Sequence, residues 1–317
     1  MKRAVLLFLA CAGFLVAVGM PGEVSAVERK IAVMWVGKSH RPMDLIMGFL
    51  PKLRELAPDM QVKLHRQLKS MDEAEAIFRE SEKTMDGIVF LDSTGAEFLA
   101  TANPKIPCFV GATNNPVDLG AMKSLEAPEG KVTGVTYYVP YNKRFEIIMQ
   151  LFPNIKRVGL VVELADPSGL IEQQATRSQC ARLNLKYNDV VASDLKRLIA
   201  ETNELADNVD LIIISNTRLA MEFTTSLLPI ANTKKIPVFS YASEPVKQGV
   251  LAGMGVDEAK LGAMLAESVV DVLVNRKAIA KVPVKMDPDP RICINEGMMK
   301  SLGLKFPDAI LKKAVFY

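Results

Sequence analysis

Two histidines and four cysteines are all that 317 residues contain. That scarcity nearly excludes a histidine-rich metal centre, and His40 and His65 read as solvated loop or edge residues. Past the amino-terminal segment, Cys108, Cys180 and Cys293 are odd in number, widely spaced and without a Cys-x-x-Cys pair. A disulfide framework is therefore not expected, and one bridge at most stays open in an oxidising compartment. Charge of one sign is also lacking, with 39 Lys and Arg scattered among 36 Asp and Glu for a net charge of +3. No basic face for nucleic acid follows from that balance. Catalytic signatures are missing as well: there is no Gly-x-Ser-x-Gly elbow, no phosphate loop and no His-Glu-x-x-His. The Gly253-Met254-Gly255 stretch lacks the third glycine that a dinucleotide site needs. No cofactor, no metal and no catalysis are expected.

What is present begins with an export signal. Lys2 and Arg3 precede the apolar run Ala4 to Met20, and Val24-Ser25-Ala26 puts small residues where a signal peptidase reads. Residues 1–26 are expected to be removed by a cut after Ala26, leaving a periplasmic chain. The run is slightly short for a membrane anchor, and Cys11 stands too early within it for a lipoprotein cut.

After the signal, apolar runs of strand length alternate with segments of helical period. Lys30–Val36, Gln61–His65, Gly87–Leu91 and Ile106–Val110 read as strands, with helices over Pro42–Leu56, Met71–Lys83 and Ser93–Thr101. The pattern restarts with strands at Arg157–Val162, Lys186–Val191, Asp210–Ile214 and Pro237–Tyr241, and helices at Leu170–Leu183 and Asp194–Ala206. "DGIVFLDSTGAEF" from Asp86 matches "DLIIISNTRLAMEF" from Asp210, and "IPCFVGATNNPVDLG" from Ile106 matches "IPVFSYASEPVKQG" from Ile236. The fold class is therefore α/β, two doubly wound parallel-sheet lobes of one topology. A helix over about Asp257–Asn275 and short strands near Val282–Val284 and Ile292–Asn295 complete the chain. Lobe one is expected from residues 27–136 plus about 254–280, and lobe two from 137–253 plus about 281–317.

In open parallel sheets ligands bind at the carboxyl ends of strands, which nominates the polar loops there. Ser93 and Thr94 open a helix, where their hydroxyls and the free N–H groups either cap it or hold a carboxylate. Glu244, after Ser243 at the matching strand end of the second half, is either a solvated carboxylate or a partner for a ligand ammonium. Trp35, with Tyr137 and Tyr138, offers flat surfaces to a ring, against the ordinary reading of a core tryptophan. "KVTGVTYYVP" from Lys131 falls between the two strand series. It reads as a crossing between lobes, with Thr136 and Tyr137 facing the ligand and Pro140 ending it before a helix at Tyr141–Leu151.

Together with "LFPNIKRVGLVV", "IPVFSYASEPVKQGVLAGMGVD" and the tail "INEGMMKSLGLKFPDAIL", that stretch resembles the TrpX-like substrate-binding proteins of ABC transporters, of the type I periplasmic binding fold. The resemblance covers nearly the whole mature chain. It implies two lobes joined by a multi-strand hinge of three crossings and closing on a ligand, in characterised relatives an aromatic amino acid. It places Ser93 and Thr94, with Thr113 and Asn114 beside them, at the ligand carboxylate. Asp166, Ser168, Asn216, Thr217 and Glu244 would form the second wall. Two departures fall on that pocket: Lys38-Ser39-His40 stands where Glu-His-Pro is usual, and Ser215-Asn216-Thr217 where Thr-Asp-Asn is frequent.

The expected function is thus a monomeric exported receptor that binds a small polar ligand and presents it to a membrane permease. A sensor signalling to a membrane protein and a two-lobed α/β enzyme are the alternatives.

Overall fold

The computed structural model describes residues 28–191 and 194–317. The expected signal segment, residues 1–26, lies outside them. Along the chain, β1 (Lys30–Val36), α1 (Arg41–Leu56), β2 (Gln61–Leu68), α2 (Met71–Thr84), β3 (Gly87–Leu91), α3 (Ser93–Ala102), β4 (Cys108–Gly111) and β5 (Val132–Thr136) build the first lobe. The second follows as α4 (Tyr141–Leu151), β6 (Arg157–Val162), α5 (Pro167–Arg182), β7 (Lys186–Val191), α6 (Leu195–Ala206), β8 (Leu211–Ile214), α7 (Arg218–Glu222), α8 (Thr224–Thr233), β9 (Val238–Ser240), α9 (Glu244–Lys247) and β10 (Ala252–Gly255). Then come α10 (Glu258–Leu273), β11 (Lys285–Met286), β12 (Arg291–Ile294), α11 (Glu296–Ser301), α12 (Asp308–Leu311) and β13 (Val315–Phe316).

The first sheet is ordered β2-β1-β3-β4-β5-β11 and the second β7-β6-β8-β9-β10-β12-β13. All pairs are parallel except β10 with β12. The first five strands of each half repeat one doubly wound order, with the switch point between the first and third strands. Burial explains the sequence pattern. Central strands such as β3 and β8 are buried at every residue, because helices cover both faces. The edge strands β2 and β7 alternate between exposed and half-buried positions, since one face stays wet.

Helix α1 buries Leu45, Ile46, Phe49 and Leu53 at three- and four-residue steps, and each such side chain contributes about 1.5–3 kcal/mol by leaving water. Its partner is α10, and two glycines permit their contact. A Cβ on Gly48 would overlap the Ala259 carbonyl, and one on Gly262 would overlap that of Leu45. Helix α10 thereby joins lobe one although it follows β10 of lobe two.

The chain changes sheet three times: after Thr136, after Gly255 and after Met286. The last crossing comes later than the expected boundary near residue 281, because Lys285 and Met286 pair with Val135 and Thr136. Arg144 of α4 ties the first crossing to the second. Its Nε donates to the Val139 carbonyl at 3.2 Å, and one terminal nitrogen donates to those of Tyr241 at 2.7 Å and Met254 at 3.3 Å. Asp287 ties the second crossing to the third, accepting from the Asp257 N–H at 3.1 Å and Lys260 Nζ at 2.6 Å. Cys108, Cys180 and Cys293 are buried and unpaired. No helix among the described residues is long and apolar enough to cross a membrane.

Candidate functional site

The carboxyl edges of the two sheets face one another, and their side chains meet. Ser93, the first residue of α3, follows an Asp92 whose backbone is left-handed at φ 79°. The carboxylate of Asp92 accepts the Ser93 N–H at 2.6 Å. Ser93 Oγ in turn accepts the Asn114 N–H at 3.0 Å and the Ser168 hydroxyl at 3.0 Å. The Tyr137 hydroxyl stands 3.1 Å from Ser168 Oγ and 3.5 Å from Ser93 Oγ. Three hydroxyls from lobe one, the first crossing and lobe two thus form one buried knot. Ser168 is presented by the N-terminus of α5, where Asp166 caps the helix by accepting the Ser168 N–H at 2.8 Å.

Arg41, at the start of α1, spans the cleft beside this knot. Its guanidinium pairs with Glu258 at 3.2 Å, lies 4.2 Å from the centroid of the Tyr137 ring, and donates to Asn216 Oδ1 of lobe two. The close α1–α10 packing sets Arg41 and Glu258 side by side, since each opens its helix. Burial works against the charge of Arg41, and Glu258, Tyr137, Asp92 and Glu172 together outweigh it.

Glu172 lies in α5 one turn beyond Ser168 and is fully enclosed in lobe two, where Oε2 accepts the Asn216 N–H at 2.7 Å. Burial pushes its carboxyl up to about 7, against the pull of Arg144 and the Asn216 N–H. Burial likewise raises Glu258 to about 7 and Asp92 to about 6. Three buried carboxyls thus stand near the facing edges, and Glu258 already has the Arg41 guanidinium beside it.

Buried polar atoms without a partner among the described residues concentrate on the lobe-one edge: Trp35 Nε1, Thr113 Oγ1, Asn114 Nδ2 and Glu258 Oε2. Such atoms each cost about 1–3 kcal/mol unless something fills their valence.

The expected residues separate into groups. Ser93, Asn114, Tyr137 and Ser168 come together in the knot, with Asp166 and Asn216 one contact away. Thr136 turns inward, its hydroxyl bonding the Thr113 and Asn114 carbonyls at 2.9 Å each, so it pins the crossing to the end of β4. Thr217 knits lobe two, its Oγ1 lying 2.6 Å from Ser215 Oγ and accepting the Glu163 N–H at 3.2 Å. Thr94 is half-buried on the flank of α3.

Three expected residues lie away from the knot. Trp35 is wholly buried in the apolar cluster of Ile31, Val33 and Phe49, so it offers an indole N–H rather than a ring face. Glu244 opens the short helix α9 on the surface, 56% exposed, and pairs with Lys247 at 3.0 Å, so it is a solvated carboxylate. Ser243 is turned against Gly255 of β10 instead of the knot.

Sequence reasoning passed over Arg41, Glu172 and Glu258. A signal for Glu172 existed: Ser168, Glu172, Thr176 and Cys180 recur at four-residue steps, a buried stripe with one charge in it.

The chain matches, over residues 30–316, the family described as ABC transporter substrate binding protein. It belongs to that family. A tyrosine-binding protein of Clostridioides difficile (strain R20291) is 26% identical over 220 residues, 69% of this chain and 64% of that protein's length. Among solved structures, a conserved domain protein from Vibrio cholerae O1 biovar El Tor superposes with a TM-score of 0.79 at 22% identity, covering 91% of this chain and 99% of that one. An ABC domain from Streptococcus pneumonia in complex with L-Trp gives a TM-score of 0.77 at 20% identity and the same coverage. These two likenesses bear on the fold, which is that of the type I periplasmic binding proteins.

Proposed function

We propose that this member of the family is the exported receptor of an ABC importer, closing its lobes on an amino acid with an aromatic side chain and presenting the shut form to a membrane permease. The observation that carries the reading is the pair of facing edges: unpartnered buried donors on lobe one, and the buried Glu172 carboxyl on lobe two. Asn114 Nδ2 and Thr113 Oγ1 suit a ligand carboxylate, and Glu172 suits the ammonium. A ligand that touches both edges stabilises the shut arrangement over the open one, which is how binding becomes closure. The aromatic side chain is taken from the relatives, one named for tyrosine and one holding tryptophan.

Titration calorimetry with the twenty amino acids tests the proposal, and tyrosine, tryptophan or phenylalanine is expected to bind saturably. Glu172→Gln should weaken that binding roughly 100-fold, the consequence of removing a buried charged partner. The pH dependence carries a sign. In the free protein the Glu172 carboxyl is pushed up to about 7, and a bound ammonium pulls it down. Binding below about pH 7 must therefore expel a proton, and affinity falls as pH drops. No binding by any amino acid, or unchanged affinity in Glu172→Gln, would overturn the assignment.

A further inference from the structure

Helix α5 has a second working face. While Ser168, Glu172 and Thr176 point into the protein, Leu170, Ile171 and Gln174 form one wall of a groove of about 580 Å³ at the seam of the lobes. The other walls are Tyr138 and Tyr141, just past the first crossing, and Asp118 from the loop after β4 of lobe one. The groove lies apart from the hydroxyl knot, and of the residues that the sequence offers to the ligand only Tyr138 lines it.

Its chemistry is specific. The Tyr138 and Tyr141 rings stand 6.0 Å apart and are tilted by 58°, a corner in which Tyr138 is half-buried and Tyr141 is buried. The lining carries one formal charge, the Asp118 carboxylate, and no lysine or arginine. Asp118 accepts a hydrogen bond from Asn115 Nδ2 at 2.9 Å and has no ion pair among the described residues. Arg144 stands 5.7 Å from the Tyr141 centroid but is buried and does not line the groove, so Tyr138 supplies the freer aromatic face.

We propose that this groove binds an alkylammonium cation, held in the corner of Tyr138 and Tyr141 with Asp118 as counter-ion. Aromatic faces attract a cation within about 6 Å of the ring centroid. Alkyl groups on the nitrogen would shed water against Leu170 and Ile171, whereas a bare ammonium or a metal ion keeps its hydration. A planar aromatic guest is the poorer fit, since it needs near-parallel faces and these are tilted. The walls come from both lobes, so the cation is held only when they are together. By linkage it then tightens binding in the main cleft, and a ligand there tightens the cation.

The probe is tetramethylammonium chloride, titrated into the mature chain against sodium chloride of equal ionic strength. Saturable binding is expected, weakened about tenfold by Tyr138→Ala and about threefold by Asp118→Asn, and kept in Tyr138→Phe, which retains the aromatic face. Asp118 is exposed, so Asp118→Asn should leave the melting temperature unchanged and serve as the folding control. No saturable binding, or binding that neither Tyr138→Ala nor Asp118→Asn alters, would overturn the site. The probe carries no amino-acid moiety, so this outcome is separate from the fate of the proposed function.

Discussion

At the carboxyl edge of the first sheet, Trp35 Nε1, Thr113 Oγ1 and Asn114 Nδ2 end without a partner, and Asp92 and Ala112 hold left-handed backbone at φ 79° and 51°. At the corresponding edge of the second sheet the polar groups are already spent. Ser215 and Thr217 bond each other, Glu163 takes the Arg218 guanidinium at 3.2 Å and the Leu219 N–H at 2.8 Å, and Asn216 is held from both sides. Unmet valence and positive-φ backbone thus gather on one edge, the one that the proposed function gives to the ligand carboxylate. The knitted edge suits a lid that closes without rearranging, with the Glu172 carboxyl enclosed behind it.

The largest expected effect comes from breaking the support of the lobe-one edge. Gly262→Ala places a methyl group on the Leu45 carbonyl, with the Phe49 nitrogen also too near. Helices α1 and α10 must then part, which costs roughly 3 kcal/mol by chemical denaturation. Because Arg41 and Glu258 ride on those helices, amino-acid affinity should fall with stability. A variant as stable and as tight as the wild type would show that helix contact does not set this edge.

A matched pair of threonines sharpens the contrast between the lobes. Thr113→Val removes a hydroxyl that has no partner, so the free protein should gain up to about 1 kcal/mol while amino-acid affinity drops about tenfold. Thr217→Val removes one that serves Ser215 and Glu163, and should cost about 1–2 kcal/mol with little direct effect on the ligand. Opposite signs in denaturant unfolding are the signature. Equal destabilisation by both would erase the distinction between an unspent and a spent edge.

Much of this architecture was legible because it depends on local chemistry. Lys30–Val36, Gly87–Leu91 and Lys186–Val191 appear as strands at the expected residues. A strand covered on both faces must be apolar throughout, and an edge strand must alternate. The reading of a strand end failed at Glu244 for a directional reason. The end of β9 fixes where the chain emerges, but the single turn of α9 sends the carboxylate outward. Glu172 and Glu258 lay hidden within helices, and Arg41 gains its meaning from Asn216, 175 residues away. Contacts across a cleft leave no period in a sequence.

The smallest effect concerns the repeated aspartate, which does the same work in both halves. Asp86 accepts Arg29 at 2.9 Å and the Lys30 N–H at 2.8 Å, and so straps the start of β1 to β3. Asp210 does this for β6 and β8, accepting the Lys156 N–H at 2.8 Å, the Arg157 N–H at 2.9 Å and the Arg157 guanidinium at 2.6 Å. Both carboxylates are partly exposed, so replacing either by alanine should lower Tm by only about 2 °C. The hydrogen bond from Arg157 holds the Asp210 carboxyl below its usual range. Its contribution is therefore present above about pH 4 and lost as pH falls through that lowered value. Asp210→Ala should accordingly differ from the wild type at neutral pH and converge with it in acid, as a melting series read from pH 7 down to pH 3 will report. If Asp210→Ala costs far more than Asp86→Ala, the straps are unequal and the likeness of the lobes stops at strand order.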